Sequence, residues 1–368
     1  MEKSRFLYIH LPFCDVVCHY CDFYKVRAAR ADHPRLTNAI LKHLELLEPT
    51  LETKLAGIYF GGGTPSTTPL VELKNIMTRL RNRVDSDTEI TLEANPSHII
   101  DENLIRWKEL GVNRISMGIQ SLNDKILHRL GRVHKGKLAR DSVEKCLKVF
   151  NNVTGDLIYA VPEQDLDEPA RDAETFVKLG LNHVSCYHLT LKSTHFLYPR
   201  LPSDQFARDQ LKLIADRLQP LDLEQYEIAS FSKKGFESRN NQNYLVGGAY
   251  AALGPSASGF DGNLHRWKNI TEWTLYCEAL EKNIPPLEES ENLTLDQRRI
   301  EQLFTSLRTR HGLDLSLYHK RFGKNILETH GTFIQRWQDS GLCVLCEDRL
   351  VLTFDGKMLA DELIKQLL

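Results

Sequence analysis

Much is missing from this 368-residue chain. No stretch approaches the ~18 uninterrupted apolar residues that a membrane-spanning helix needs. The opening MEKSRFLYIHLPFC does not look like a secretory leader, because its apolar run is short, contains His10 and ends in Cys rather than at a small-residue cleavage site. A cytoplasmic protein is therefore expected. An excess of one charge is missing as well: 47 Lys and Arg stand against 49 Asp and Glu, a formal charge of -2. That balance removes the electrostatic footprint of a dedicated nucleic-acid binder. A disulfide framework is absent too. The chain has eight cysteines, three of them between positions 14 and 21, and such clustering in a reducing compartment points to metal binding or redox chemistry. What remains, 42% hydrophobic and 26% charged, is the mix of a globular protein, long enough for two or three domains of ~150 residues.

Short apolar runs rich in β-branched and aromatic residues alternate with helical patterns through the first two-thirds of the chain. The spacing predicts strands over Phe6–Leu11, Gly57–Phe60, Glu89–Glu93, Arg114–Ile119, Gly155–Ala160 and His183–Leu189. Helices are predicted over Pro69–Arg83, Glu102–Leu110, Leu138–Phe150 and Glu168–Leu179. Several of the strands read as nearly continuous apolar runs, which suits parallel strands covered by helices, so a parallel (βα) barrel or open partial barrel is expected. Beyond residue 200 come a helix over Asp204–Leu218, a strand in QYEIASF and the glycine-rich VGGAYAALGPSASGFDG. The C-terminal part predicts two charged helices, a strand, a turn at Glu347 and Asp348, a second strand and a closing helix, a small winged-helix-like α+β module.

The chemistry-bearing segments sit at or just after the C-terminal ends of the predicted strands, where (βα) barrels carry their sites. Cys14, Cys18 and Cys21 form CxxxCxxC after the first strand. Thiolates this close can converge on a soft metal centre. Zinc would need a fourth ligand, with His10 or His19 at hand. An iron-sulfur cube would instead be held at three of its four irons, leaving one open to a small molecule. The second strand runs into Gly61, Gly62 and Gly63, then Thr64 and Pro65. Such a run allows a sharp turn and close approach of backbone to a ligand, or simply leads into the next helix. It lacks both GxGxxG spacing and the Lys of a phosphate loop.

Together, CxxxCxxC and GGGTP resemble the radical S-adenosylmethionine (SAM) superfamily. The resemblance implies a partial (βα)6 barrel with a [4Fe-4S] cluster on Cys14, Cys18 and Cys21, whose open iron binds SAM. Gly62, Gly63 and Thr64 would line the methionine end, and the reduced cluster would split the sulfonium into methionine and a 5′-deoxyadenosyl radical. YIHLPFC, EANP at Glu93–Pro96, GVNRISMGIQS, LGR at Leu130–Arg132 and GDLIYAVP occur in order. This looks like the branch holding oxygen-independent coproporphyrinogen III dehydrogenase and the HemW-type heme chaperones. It implies SAM contacts from Tyr8, Glu93, Gln120, Arg132 and Asp156. Read singly, Glu93 and Asp156 could be helix caps and Arg132 an ordinary ion-pair partner. The implied organisation is a radical SAM core over 1–235, a connecting segment over 236–290 and a C-terminal module over 291–368.

The dehydrogenases of this branch carry a further Cys where this chain has Phe23, which favours the chaperone side. The resemblance then implies heme as cargo, acceptor haemoproteins and an electron donor as partners, and no nucleic acid. Peripheral association with the inner membrane surface and a homodimer are compatible with it. Oxidative decarboxylation of a porphyrinogen is the alternative, and a zinc-stabilised scaffold without redox activity a second. HemW-type sequences read His-Asn and Tyr-Trp where this chain has Asn240 and Leu245. An Asn amide is a poor heme ligand, so His265 in LHRWKN is the expected substitute. Cys146, Cys186 and Cys277 read as buried hydrophobes. Cys343 and Cys346 fall on opposite faces of a strand. The basic run HRLGRVHKGKLAR reads as a solvated loop.

Overall fold

The computed structural model describes residues 3–368. Its centre is a nine-stranded sheet. Six strands run parallel in chain order: β1 (Phe6–Leu11), β2 (Gly57–Gly62), β3 (Glu89–Ala94), β4 (Arg114–Gln120), β5 (Val153–Tyr159) and β6 (His183–His188). These are the six strands the sequence predicts, within one or two residues. QYEIASF is not one strand but a hairpin, β7 (Glu224–Glu227) and β8 (Ser230–Ser232), which continues the sheet antiparallel beyond β6. On the other edge β9 (Ala251–Leu253), from the glycine-rich stretch, pairs parallel to β1.

The strands are not continuous apolar runs, and here the expectation is corrected. Leu7, Ile9, Ile58, Phe60, Ile90, Leu92, Ile115 and Met117 are buried in the main hydrophobic cluster. The alternate positions, Tyr8, Tyr59, Glu89, Thr91, Glu93, Arg114, Ser116 and Asp156 among them, occupy the opposite face, because successive strand side chains point to opposite sides. The outer face packs on helices; the inner face is a polar chamber.

The outer layer includes α1 (His33–Leu47), α2 (Leu70–Leu80), α3 (Asp101–Glu109), α4 (Asp124–Arg129), α5 (Gly136–Leu147), α6 (Glu168–Lys178) and α7 (Asp204–Leu218). Their starts have local causes. Asp32 and Ser203 cap α1 and α7 by accepting from Arg35 N and Phe206 N, which satisfies amides that a helix start leaves open. The basic run read as a loop is split: His128 and Arg129 end α4, Gly136–Arg140 open α5, and 130–135 is the loop between them. A short helix, α8 (Arg239–Leu245), closes the N-terminal end of the sheet: its Arg239 N–H donates to Glu89 Oε1 at 3.0 Å. A separate antiparallel sheet, Ser258–Phe260, His265–Asn269 and Leu287–Asn292, follows it.

The C-terminal part has its own core, with Leu303, Tyr318, Trp337, Leu350 and Ile364 buried together. Cys343–Cys346 pairs antiparallel with Arg349–Leu352 across the turn at Glu347 and Asp348. Leu313–Asp314 completes this small sheet. Cys343 is buried and Cys346 exposed, on opposite faces as expected. No helix among the described residues is long and apolar enough to cross a membrane.

Candidate cofactor site at the barrel mouth

Just after β1, Phe13–Cys14 pairs with Val26–Arg27, so the segment between them is a closed loop carrying Cys18 and Cys21. Cys14 is 5% exposed; the other two are half-buried. Two of the sulfurs accept hydrogen bonds from other loops of the mouth. Thr64 Oγ1 donates to Cys14 Sγ at 3.3 Å and Arg132 Nη1 to Cys18 Sγ at 3.4 Å. Burial pushes the Cys14 thiol up to about 11; the Thr64 bond opposes this, while Cys21 and Cys18 add to it. Cys21 is also raised by burial, against the pull of the Lys25 ammonium. Burial thus favours the protonated forms of Cys14 and Cys21, and a metal bound there must displace those protons.

The loop is clamped from the side as well. His98 Nε2 lies 2.7 Å from Asp15 Oδ2 and its Nδ1 lies 2.8 Å from Ser66 Oγ, which ties the cysteine loop to the glycine loop. Neither of the sequence's candidate fourth zinc ligands is at hand. His10 uses Nδ1 on Tyr8 Oη at 3.1 Å and Nε2 on the Tyr24 carbonyl at 3.0 Å. His19 packs edge-on against Phe196, ring centres 5.8 Å apart. Among the described residues no three His, Cys, Asp or Glu converge on a single-ion site. A cube makes no such demand, since each thiolate binds a different iron.

The glycine loop is a cradle. Gly62 has φ +117°, and a Cβ on Gly63 would lie 2.3 Å from the Pro12 carbonyl oxygen and 3.0 Å from Cys14 Sγ. Gln120 ends β4 with φ 73°, and its buried Oε1 has no partner. Such an orphaned acceptor at a strand end suits a ligand with donors. Arg132 Nη2 donates to Asn95 Oδ1 and the Gly118 carbonyl, each at 2.6 Å. Glu93 accepts from Tyr59 Oη at 2.8 Å and Gly62 N at 3.2 Å. Ser116 Oγ donates to Asp156 Oδ2 at 3.2 Å. Burial raises both carboxyls to about 7. Tyr8 stacks on Tyr59 with ring centres 6.0 Å apart, and both line a cavity of about 410 Å³ with His10, Phe23, Tyr24, Glu93, Tyr244 and Tyr250. The residues present fit a thiolate-held cluster with a polar ligand beside it.

The structure thus gathers Tyr8, Cys14, Cys18, Cys21, Gly62, Gly63, Thr64, Glu93, Gln120, Arg132 and Asp156 at one mouth. Tyr8 and Asp156 point inward from within their strands rather than from the ends. The sequence reading missed Asn95, Ser116, Tyr59 and His98 as partners; Asn95 stood in the EANP segment, whereas the others carried no signal of their own. His265 stands apart, its Nδ1 3.1 Å from Asn292 Oδ1 and its ring stacked on Trp267. Asn240 is 1% exposed, lies against Gly57 at the opposite end of the barrel, and neither amide atom has a hydrogen-bond partner.

A family model of the Radical SAM superfamily matches residues 8–176, and one of the HemN C-terminal domain matches residues 278–359. The heme chaperone HemW of Lactococcus lactis is 32% identical, with 100% of this chain and 98% of that protein covered. For the HemW of Bacillus subtilis the identity is 30%, over 96% and 97%. A mitochondrial radical S-adenosyl methionine domain-containing protein 1 of Dictyostelium discoideum is 31% identical over 98% of this chain and 94% of its own. Coproporphyrinogen III oxidase HemN from Escherichia coli has the same fold, TM-score 0.85 over 100% of this chain and 90% of that one, at 21% identity. A thiol loop, a glycine cradle and a polar barrel mouth, in a chain alike to these relatives from end to end, belong to the HemW family of the radical SAM superfamily.

Proposed function

We propose that this chain is a heme chaperone: it binds heme, a [4Fe-4S] cluster and SAM, and hands heme to acceptor haemoproteins. Cys14, Cys18 and Cys21 hold the cluster. Bound there, it supplies one-electron reduction of SAM. Thr64 donates to Cys14 Sγ, which favours its thiolate form, and Arg132 donates to Cys18 Sγ; both bonds fix the loop. Gly62, Gly63 and Thr64 back the methionine end of SAM, Gln120 offers its free acceptor, and Tyr8, Glu93 and Asp156 line the remaining contacts. With affinities near neutrality, Glu93 and Asp156 can donate as well as accept toward ligand hydroxyl and amino groups.

The observation that carries the chaperone reading over the dehydrogenase is Phe23, 73% exposed on the rim of the mouth cavity where the dehydrogenases have a further cysteine. The same reading makes the chain cytoplasmic, with an electron donor for the cluster, and leaves peripheral attachment to the inner membrane and dimer formation to be tested by flotation and sedimentation. The deciding experiment is anaerobic reconstitution, followed by incubation with SAM, reductant and either heme or coproporphyrinogen III. We expect about four irons and as many labile sulfides per chain, heme retained and passed to an apo-haemoprotein, and no decarboxylation. Porphyrinogen decarboxylation overturns the chaperone reading; a colourless protein without labile sulfide overturns the cluster.

A further inference from the structure

A second cavity, of about 510 Å³, opens at the other end of the barrel, between α8 and the C-terminal module. Its apolar side includes Phe6, Leu245, Val246 and Leu317. Val246 is 67% and Leu317 45% exposed, so their apolar surface faces the cleft and solvent rather than a core. Its charged side has the guanidinium groups of Arg239 and Arg349 against the one carboxylate of Asp314. Arg349 pairs with Asp314 at 3.1 Å, whereas Arg239 donates to the Asp87 carbonyl and has no carboxylate partner among the described residues. His311 is the single imidazole among the lining residues. Its Nε2 has one long contact, 3.5 Å from Arg310 Nε, and its Nδ1 has no hydrogen-bond partner among the described residues.

We propose that this cleft is a heme seat in which His311 supplies an axial nitrogen while Arg239 and Arg349 face the propionates. The inference rests on the heme-chaperone reading above and adds the place and the ligand. A porphyrin needs an apolar slot for its faces, a nitrogen or sulfur for its iron, and cations for its carboxylates; this cleft offers all three. The mouth cavity does not. Its charged side chain is the carboxylate of Glu93, and both nitrogens of its His10 are occupied. Burial, with Arg310 and Arg349, lowers the proton affinity of His311, which keeps the imidazole in its ligating form. Leu245, which lines the cleft, is smaller than the Trp that HemW-type sequences carry there, so the slot is open at that point.

The test is a hemin titration of the full chain, read by absorbance, with the parent, His311→Ala and Val246→Trp, the last filling the cleft from its exposed rim. Iron and sulfide content of the mouth site, the same in all three, verifies folding. We expect the parent to bind one heme, and each variant to bind about tenfold or more weakly. The Soret band of His311→Ala should move to that of heme lacking the nitrogen ligand. If the parent binds heme and His311→Ala keeps its affinity and spectrum, the seat is wrong and the chaperone reading stands. If the parent binds no heme, the chaperone reading itself falls.

Discussion

Glu93 and Asp156 face one chamber from β3 and β5, and the Asp156 carboxylate raises the cost of ionising Glu93. Burial is the largest cause of their raised proton affinity, to about 7 in both. An acid that holds its proton more tightly in the fold than in the open chain makes the native state bind more protons between the two values. Stability therefore falls as pH rises from about 4 to about 7, and stays low above that. Asn and Gln keep the shape without the charge. Asp156→Asn and Glu93→Gln are expected to gain on the order of 2–3 kcal/mol at pH 8, and the gain should shrink as pH falls toward 5. Thermal unfolding of the cluster-free chain at both values measures this; a gain independent of pH contradicts it.

At the scale of the element, the turn leaving β2 is shaped by what its glycines exclude. Gly63 has no room for a methyl group because the Pro12 carbonyl, which itself accepts from Val26 N at 2.8 Å, stands in the way. Gly63→Ala should push the cysteine strand outward, cost about 1–3 kcal/mol and lower the iron bound per chain. Gly331→Ala, where nothing lies within 4 Å of the added carbon, serves as the control and should leave iron binding unchanged. The positions of the six parallel strands were legible because each carries several apolar side chains for the outer layer. The inner face was not: Arg114, Glu89 and His183 look like strand flanks until the sheet curls and buries them. Ala251–Leu253 escaped because AAL within a glycine-rich run has no β-branched residue. The cysteines and the glycine loop were legible through local spacing, whereas the bonds from Ser116 to Asp156 and from His98 to Asp15 join residues 40 and 83 positions apart.

Across the whole molecule, the barrel and the C-terminal module are joined through Arg310. Its guanidinium bonds Glu224 at 3.0 Å and Glu237 at 2.8 Å, and its backbone N–H donates to the Tyr226 carbonyl. Glu237 is 9% exposed at its side chain, so this link is better shielded than a surface pair. Arg310→Ala should cost about 1–2 kcal/mol and turn one calorimetric transition into two, the module melting first; a single unshifted transition contradicts the link.

The thiol loop is fastened by Thr64 and Arg132, which belong to other loops, and Cys14, Cys18 and Cys21 take no part in the hydrophobic clusters. On the proposed function, collapse of the polypeptide would not need to wait for iron. Maturation would then be a late step performed on a finished receptor, and a cell short of iron would stockpile intact protein ready to be filled when supply returns.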